Sequence, residues 1–442
     1  MKRYLQAPNR SSAATISIMA GRDKSLTHRA IMFSSLSEGR SQIRHPLLGA
    51  DCLSTISCFE ALGVKIDVHG DERVEVLSEG FAKFRQPTRD LDCGNSGTTA
   101  RLILGILAAQ KNLNFRLIGD ESLSKRPMKR VVIPLRKMGA SIEGNDDGNF
   151  LPLTIKGQTL HAETHQVDKA SAQVKSCLLL AGMFSDGTTR VSLPKGSRDH
   201  TERVLQKMGA KLEARVEGDL EEIALTGPFK TKSMDIEIPV DPSSAAFFAV
   251  LGVLLTEGRI EMPDVLDNAT RTGFIKVLTR MSQGLSFTPN QAHSIGFVEP
   301  VGLLAVQGGM PLVGTDISEE EIPSLVDEIP ILAVAAAFAK GPSLFRGLSE
   351  LRVKESDRLV LTGELLKASG ADFEIRGDDL WIAGGLKDVT PFTFDPEGDH
   401  RLAMSAAILA RRCKKPCCIL DSECVRVSFP NFYEALGAVD TF

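Results

Sequence analysis

One pattern recurs six times along the 442-residue chain. Each copy has a polar turn rich in Ser, Asp and Gly, then an apolar helix, a short polar break and a β-rich segment. The predicted helix starts lie 71, 76, 72, 84 and 72 residues apart, at Lys24, Asn95, Ser171, Ser243, Asp327 and Asp399. So regular a spacing is typical of an internal repeat, and it constrains the fold more than any other feature.

A second, amphipathic helix is predicted within each copy. Residues 52–62, 128–138 and 201–208 are examples, and the glycine after each favours a left-handed helix cap. A unit of this kind cannot bury its own apolar helix, so several units must pack together. Six units predict two domains of three, with a boundary near residues 230–240. A single extended solenoid is the alternative, but the units lack the short period of known solenoids.

Charge and hydropathy exclude several classes of partner. A formal net charge of −4 gives no general basic field, so we expect no nucleic-acid partner and only local anion binding. The longest apolar runs, residues 245–255 and 331–339, are about half of the roughly 20 residues that span a bilayer. With no export signal, the sequence predicts a cytoplasmic protein without a membrane partner. Cys413, Cys417, Cys418 and Cys424 fit no zinc spacing, so no metal site is expected.

The starts of the apolar helices are the candidate ligand site. A helix N-terminus carries unpaired N–H groups and about half a positive charge, which attract anions. Groups that bind phosphate occur at these starts: Lys24, Ser25, Arg29, Asn95, Gly97, Thr98, Arg101, Ser171, Gln173 and Arg401. Each alone is a weak signal, because Ser25 or Ser171 fits a helix cap, and His28 and His400 fit core roles. Together they predict binding of phosphate-bearing small molecules.

Six segments resemble the 5-enolpyruvylshikimate-3-phosphate synthase family of enolpyruvyl transferases, over residues 16–439. They read DKSLTHR at 23–29, GNSGT at 94–98, KRPM at 125–128, SAQVKS at 171–176, LRVKESDR at 351–358 and DHRLAM at 399–404. The resemblance implies an α/β fold of two similar domains, an inside-out α/β barrel in which each domain has three βαβαββ repeats with buried parallel helices. It places residues 21–238 in one lobe and residues 1–20 plus 239–442 in the other, with a hinge near 20–22 and 236–241.

The resemblance also implies an activity. Members of the family transfer the enolpyruvyl group of phosphoenolpyruvate to the 5-hydroxyl of shikimate 3-phosphate and release phosphate, a step towards chorismate and the aromatic amino acids. They use no metal and no organic cofactor, and their two domains close on the substrates. We therefore expect a monomer whose partners are these two substrates. The family is a target of glyphosate, but the sensitivity of this chain stays open.

Binding residues follow from the resemblance, position by position. Phosphoenolpyruvate carries a phosphate and a carboxylate, and the guanidinium group suits both anions. By similarity, the phosphate binds Lys24, Gly97, Arg126 and Gln173, and the carboxylate binds Arg358 and Arg401. By similarity, shikimate 3-phosphate binds Lys24, Ser25, Arg29, Ser171, the backbone of Ala172, Gln173, Arg198, Asp327 and Lys354.

The reaction also needs two proton transfers. One proton leaves the attacking hydroxyl, and one reaches the methylene carbon before phosphate is expelled. Asp327 is the candidate for the hydroxyl, with Lys24 assisting, and Glu355 is the candidate proton donor to carbon. His400 is a fourth candidate, and the sequence does not decide which group makes each transfer.

Three positions depart from the family pattern. Arg22 is an extra residue just before the first helix start, and Ala172 stands where some members have a second serine. Val427 stands where some members have a lysine that contacts phosphoenolpyruvate. Arg426 is expected to be a poor substitute, because on a strand its side chain would point to the opposite face.

Two other functions stay open from sequence. The cell-wall branch of the superfamily, which uses UDP-N-acetylglucosamine, commonly has a reactive cysteine five residues before the arginine that matches Arg126. Here that residue is Glu121, which argues against this branch. The second alternative is a non-catalytic binder of phosphorylated metabolites. Asp327 and Glu355 argue against it, since carboxylates weaken anion binding unless they do proton chemistry.

Overall fold

The computed structural model describes residues 1–7, 14–290 and 296–439. The chain divides into two compact units. Unit 1 comprises Met1–Arg22, Pro239–Ile295 and Glu299–Phe442, and unit 2 comprises Asp23–Ile238 and Gly296–Val298. Both units are therefore discontinuous in sequence, and the N-terminal residues belong with the C-terminal half of the chain.

The described residues form fourteen α-helices and twenty-three strands. The helices are α1 (Lys24–Leu36), α2 (Ala50–Ala61), α3 (Gly97–Ala108), α4 (Glu121–Ser124), α5 (Lys129–Lys137), α6 (Asn145–Gly148), α7 (Ala172–Gly182), α8 (His200–Lys207), α9 (Pro242–Leu254), α10 (Gly273–Met281), α11 (Ile329–Phe338), α12 (Arg358–Ser369), α13 (His400–Ala410) and α14 (Phe432–Ala438). The strands are β1 (Arg3–Leu5), β2 (Thr15–Ser17), β3 (Glu38–Arg44), β4 (Lys65–His69), β5 (Arg73–Glu79), β6 (Leu91–Asp92), β7 (Asn114–Ile118), β8 (Ser141–Gly144), β9 (Phe150–Lys156), β10 (Thr164–Gln166), β11 (Gly187–Pro194), β12 (Leu212–Glu217), β13 (Leu220–Gly227), β14 (Ile236–Glu237), β15 (Arg259–Leu266), β16 (Leu285–Pro289), β17 (Val301–Gln307), β18 (Asp316–Ile317), β19 (Ser343–Phe345), β20 (Phe373–Arg376), β21 (Asp379–Ile382), β22 (Thr393–Phe394) and β23 (Cys417–Ile419).

The strands assemble into one sheet per repeat. The sheets of unit 2 have the orders β14-β3-β5-β4, β6-β7-β9-β8 and β10-β11-β13-β12. Those of unit 1 have the orders β2-β15-β17-β16, β18-β19-β21-β20 and β1-β23-β22. Every sheet contains one parallel pair, bridged in most repeats by the apolar helix, and its other pairs are antiparallel. The predicted α/β class and its repeated βαβαββ unit are confirmed.

Two short strands complete sheets far away in sequence. Ile236 of β14 pairs with Ile43 of β3. One edge strand of the first sheet in unit 2 therefore comes from the C-terminal end of residues 23–238. In β2, Ile16 pairs with Ile260 of β15, so the fourth repeat takes its first strand from the N-terminal segment. The polypeptide passes from unit 1 to unit 2 after Arg22 and returns after Ile238, and Gly296–Val298 form a further short segment of unit 2.

The apolar helices form the cores of the units. All residues of α9 are buried, and α11 is buried from Ile329 to Ala337. The second helix of each repeat is amphipathic, as α8 illustrates with buried Val204 and Leu205. No helix in the described part of the chain is both long and apolar enough to span a bilayer.

Helix boundaries follow the sequence-based prediction at some positions and differ from it at others. Helix α1 begins at the predicted Lys24, where the Asp23 carboxylate caps it by accepting a hydrogen bond from the Leu26 N–H at 2.7 Å. In contrast, the amphipathic helix that the sequence predicts over residues 355–368 begins only at Arg358, where the Asp357 carboxylate accepts a hydrogen bond from the Val360 N–H at 3.1 Å. The residues around Arg426 are a 3₁₀ helix, Ser422–Val427, and not a strand. The orientation predicted for Arg426 was therefore wrong, and its Nε lies 2.8 Å from the Glu423 carboxylate.

Candidate functional site

In unit 2, the starts of α1, α3 and α7 are fixed by side-chain caps. Asp23 caps α1, the Ser96 hydroxyl accepts from the Thr99 N–H at 3.1 Å, and the Ser171 hydroxyl accepts from the Val174 N–H at 3.5 Å. A cap satisfies one of the N–H groups that a helix start leaves without an intrahelical partner. The residues after each cap, which the sequence predicted as anion-binding, therefore have a defined position.

The first cation near these helix starts is Lys24. Its ammonium lies 3.0 Å from Asp51 Oδ2, and both side chains are largely buried. Asp51 is in the first turn of α2, where the helix dipole stabilises a carboxylate. Sequence analysis did not identify Asp51, because an acidic residue in a first helical turn is too common to indicate a site.

A second group joins α3 to α7. Arg101 donates from Nη1 to Gln173 Oε1 at 2.6 Å, and Gln173 Nε2 donates to the Thr98 hydroxyl at 3.1 Å. A Cβ added at Gly97 would lie 2.9 Å from Arg101 Nη1 and 3.5 Å from Arg126 Nη1. The structure thus brings Gly97, Arg126 and Gln173 together around Arg101, which the sequence listed among the phosphate-binding groups but assigned to neither substrate.

Arg126 also contacts the start of α3. Its Nη2 donates to Asn95 Oδ1 at 2.7 Å, and its side chain is half-buried. We call Lys24, Asp51, Arg101, Arg126 and Gln173 the unit 2 cluster. It holds three cations and one carboxylate, so it carries an excess of positive charge beside three capped helix starts.

Arg29 is already bonded to protein groups through each guanidinium nitrogen. Its Nε donates to Thr201 Oγ1 at 2.7 Å, Nη2 donates to Ser176 Oγ at 2.8 Å, and Nη1 donates to the Ser25 carbonyl at 3.0 Å. With only 4% of its surface exposed, Arg29 ties α1 to α7 and α8.

The other residues predicted to bind shikimate 3-phosphate in unit 2 are half-buried. Ser25 follows Lys24 in the first turn of α1, and Ser171 and Ala172 form the start of α7. Arg198 lies in the segment of residues 195–199 that precedes α8.

In unit 1, the corresponding feature is a buried arginine among three carboxylates. Arg358 donates from Nε to Asp399 at 2.7 Å, from Nη1 to Asp327 at 2.9 Å and from Nη2 to Glu355 at 2.6 Å. Burial opposes the charge of Arg358, but the three carboxylates outweigh it and raise its pKa. Burial likewise opposes ionisation of Asp399, yet Arg358 and His400 hold its pKa below the usual value.

Asp327 stands at the centre of this group. Besides Arg358, its carboxylate has Arg401 Nη2 at 3.5 Å and Lys354 Nζ at 3.6 Å. We call Asp327, Lys354, Glu355, Arg358, Asp399 and Arg401 the unit 1 cluster. His400 is the first residue of α13 and is 1% exposed. Five of the six cluster members were predicted from the sequence as site residues. Asp399 was seen only as a helix start, although it both caps α13 and pairs with Arg358.

His28 occupies the interior of unit 2 between three helices. Its Nδ1 lies 2.7 Å from the Thr55 hydroxyl, which in turn lies 2.7 Å from the Thr99 hydroxyl. No described residue forms a hydrogen bond with the buried His28 Nε2. Burial lowers the pKa of His28 to about 3, so the imidazole is neutral at ordinary pH. This environment favours a core role for His28 over a catalytic one.

The buried imidazole should make unit 2 sensitive to mild acid. The unfolded chain binds a proton at His28 below about pH 6.5, whereas the folded chain does not until the pKa of about 3. The free energy of unfolding should therefore fall by about 1.5–2 kcal/mol between pH 6.5 and 5 because of this residue. Urea titrations of His28→Gln should show a smaller loss over that range, and those of the exposed control His69→Gln should match wild type. Equal pH slopes for His28→Gln and wild type would contradict this account.

The described residues contain no group of three or more His, Cys, Asp or Glu side chains arranged to hold a metal ion. Each of the two clusters is made of cations and carboxylates in ion pairs, a chemistry suited to binding anions and moving protons.

Comparisons with known proteins cover almost the whole chain. The family model described as EPSP synthase (3-phosphoshikimate 1-carboxyvinyltransferase) matches residues 9–436. The 3-phosphoshikimate 1-carboxyvinyltransferase of Bacillus velezensis is 42% identical over 414 residues, 94% of each chain. That of Geobacillus thermodenitrificans is 43% identical over 437 residues, 98% of this chain and 99% of the relative.

Two solved structures of similar proteins superpose on almost the whole chain. An EPSP synthase from Acinetobacter baumannii superposes with a TM-score of 0.87 at 35% identity, covering 99% of this chain and 98% of that one. The enolpyruvyl transferase NikO from Streptomyces tendae superposes with a TM-score of 0.74 at 17% identity, covering 99% and 96% of the two chains. At that identity the second likeness concerns the fold alone.

Proposed function

The chain belongs to the EPSP synthase (3-phosphoshikimate 1-carboxyvinyltransferase) family, and we propose that its unit 1 and unit 2 clusters act together as the site of the family's reaction. The chain transfers the enolpyruvyl group of phosphoenolpyruvate to the 5-hydroxyl of shikimate 3-phosphate and releases phosphate. The observation that carries this conclusion is the family match over residues 9–436. The assignment of individual residues is the proposal.

Two anionic groups of phosphoenolpyruvate need two cationic partners. In the proposal, Lys24, Gly97, Arg126 and Gln173 bind the phosphate. The support is that Gly97, Arg126 and Gln173 all lie around Arg101, next to the capped start of α3. A side chain at Gly97 would push the Arg101 guanidinium away, so glycine preserves the geometry of the phosphate partners. Arg101, which the sequence already placed among the phosphate-binding groups at the helix starts, joins them as a contact to this phosphate.

The carboxylate of phosphoenolpyruvate is assigned to Arg358 and Arg401. A guanidinium has five N–H donors. Three of those of Arg358 donate to carboxylates, so two N–H groups are left to donate to a ligand. The surrounding carboxylates hold the guanidinium rigidly and so fix its orientation before the substrate arrives. Arg401, only 3.5 Å from Asp327, supplies the second cation.

Shikimate 3-phosphate is assigned to groups in both units. Ser25, Arg29, Ser171, Ala172, Gln173 and Arg198 come from unit 2, and Asp327 and Lys354 come from unit 1. We propose that the substrates draw the two units together, with residues 20–22 and 236–241 as the hinge. The support is that the chain passes between the units at Arg22 and Ile238, inside those ranges.

Proton transfer is assigned to the carboxylates of the unit 1 cluster. Asp327 takes the proton of the 5-hydroxyl, and its three cationic neighbours stabilise the ionised form that a base needs. Glu355 gives a proton to the methylene carbon. Because Arg358 pairs with it at 2.6 Å, Glu355 must loosen this contact and take up a proton when the site closes. Lys24, paired with Asp51, assists at the hydroxyl, and His400 is the fourth candidate for these proton transfers.

We propose further that the chain acts as a monomer in the cytoplasm, as expected of an enzyme of this biosynthetic family. Light scattering coupled to gel filtration tests this point. A stable dimer at enzymatic concentrations would contradict it.

A phosphate-release assay tests the function. Release is expected only when phosphoenolpyruvate and shikimate 3-phosphate are both present. Release that requires UDP-N-acetylglucosamine instead would assign the chain to the cell-wall reaction. Saturable binding of both ligands without release would make it a binder of phosphorylated metabolites.

A further inference from the structure

We propose that Lys175, Glu221 and Ser197 form a positioning network that holds the segment of residues 195–199, and with it Arg198, in the geometry that binds shikimate 3-phosphate. The inference rests on the proposed function, since it deepens the role given to Arg198. None of the three residues belongs to the unit 2 cluster.

The network begins at a buried ammonium. The Lys175 side chain is 1% exposed, and its Nζ lies 2.6 Å from Glu202 Oε1 and 2.9 Å from Glu221 Oε1. Glu221 Oε1 also accepts a hydrogen bond from the Ser197 hydroxyl at 2.5 Å. One oxygen of Glu221 therefore joins α7, which carries Lys175, to the segment that carries Arg198.

Two features of the segment's backbone set its path. Its first residue, Lys195, donates its N–H to the Asp219 carbonyl at 2.9 Å, which closes the end of the β11–β13 pair. Gly196 has a φ of 93°, a left-handed conformation that glycine adopts without strain. The chain thus turns sharply just before Ser197, and the bond from Ser197 to Glu221 sets where the turn sends Arg198.

Helices α7 and α8 are joined at two adjacent positions. Ser176 of α7 and Thr201 of α8 both bind the Arg29 guanidinium, while Lys175 and Glu202 pair beside them. A cation thus bridges α7 and α8 at two successive positions. This doubled connection fixes Arg198, which precedes α8, relative to Ser171 and Gln173 at the start of α7.

Stability alone gives a weak reason for so buried a charge. The desolvation cost of a buried ion pair often equals the attraction between its charges. Apolar residues of the same volume commonly give the same folding stability. Glu202 illustrates the cost: burial raises its pKa in spite of Lys175, and its Oε2 has no hydrogen-bond partner in the described part of the chain. Directional bonds, in contrast to apolar contacts, specify one position of the segment.

The test compares two buried serines of unit 2. Ser197→Ala removes the hydroxyl that donates to Glu221, and Ser185→Ala removes a buried hydroxyl that donates to the Ala181 carbonyl at the C-terminal end of α7. We expect Ser197→Ala to raise the Kd and the KM for shikimate 3-phosphate about three- to tenfold, less than the roughly tenfold or more that a direct hydrogen bond to a charged group contributes, because Ser197 acts on the substrate through Arg198. The KM for phosphoenolpyruvate and kcat should stay within about twofold of wild type, and melting temperatures should match those of Ser185→Ala. Titration calorimetry with shikimate 3-phosphate alone gives the Kd without turnover.

A third variant separates this inference from the proposed function. Arg198→Gln should lose shikimate 3-phosphate affinity more strongly than Ser197→Ala. If it does, while Ser197→Ala binds like Ser185→Ala, the positioning network is overturned and the role of Arg198 stands. If Arg198→Gln binds shikimate 3-phosphate like wild type, both the role of Arg198 and the network built on it are overturned. Equal losses of affinity for both substrates in Ser197→Ala would indicate a general structural defect and would also overturn the inference.

Discussion

Glu355→Gln is expected to lower kcat by about 10²- to 10⁴-fold, the usual contribution of a positioned general acid. Glutamine keeps the length of the side chain, and its carbonyl oxygen can still accept the bond that Arg358 Nη2 donates to Glu355 at 2.6 Å. It has no acidic proton to give to the methylene carbon. The Kd of each substrate, measured by calorimetry, should therefore change only a few-fold, while phosphate release under saturating substrates collapses.

Glu364→Gln is the matched control, because Glu364 is an exposed residue of the neighbouring helix α12. Its kcat should equal that of wild type. An unimpaired turnover number in Glu355→Gln would remove Glu355 from the chemistry and leave Asp327, Lys24 and His400 as the candidates. A large loss of affinity with unchanged kcat would make Glu355 a binding group.

Local features of the sequence were sufficient to predict the repeats and the helix starts. The apolar helices carry too few polar residues to face water, as α9 and α11 show, so their burial follows from composition alone. Asp23 and Ser171 precede these helices and form the caps that such residues favour. Cations that follow a cap are a local pattern as well, which is why Lys24 was predicted as a site residue.

Contacts between segments that are distant in sequence had no local pattern from which they could be predicted. Strand β14 has only two residues, so nothing in the sequence around Ile236 indicates that it pairs with β3. Asp51 meets Lys24, and Asp399 meets Arg358, only because separate helices bring them together. The same limitation explains the error at Arg426, where a 3₁₀ helix replaced the expected strand. A short segment takes its conformation from its surroundings more than from its own propensity.

Arg358→Met is expected to produce the largest loss of stability. The variant leaves the carboxylate of Asp399, whose side chain is 0% exposed, without its closest cation. Breaking a buried pair in this way typically costs about 3–5 kcal/mol, which corresponds to a fall in melting temperature of about 10 °C in a unit of this size. The control is an exposed cation: Arg376→Met loses a pair with Glu374 that solvent screens, so its melting temperature should stay close to that of wild type.

The pH dependence distinguishes a buried charge from lost packing. In wild type, Arg358 holds the pKa of Asp399 below its usual value of 3.8, so this pair stabilises the fold above that pH and the contribution is lost as pH falls through the lowered pKa. In Arg358→Met the burial of Asp399, which raises its pKa, is no longer offset by Arg358, and protonation then relieves the buried charge. The stability deficit of the variant should therefore shrink as pH falls from 7 towards 4. Adding Asp399→Asn should remove part of the deficit at pH 7, because the amide carries no charge to bury. A deficit that is independent of pH and is not reduced by Asp399→Asn would show that Arg358 stabilises unit 1 through its volume and not through its charge.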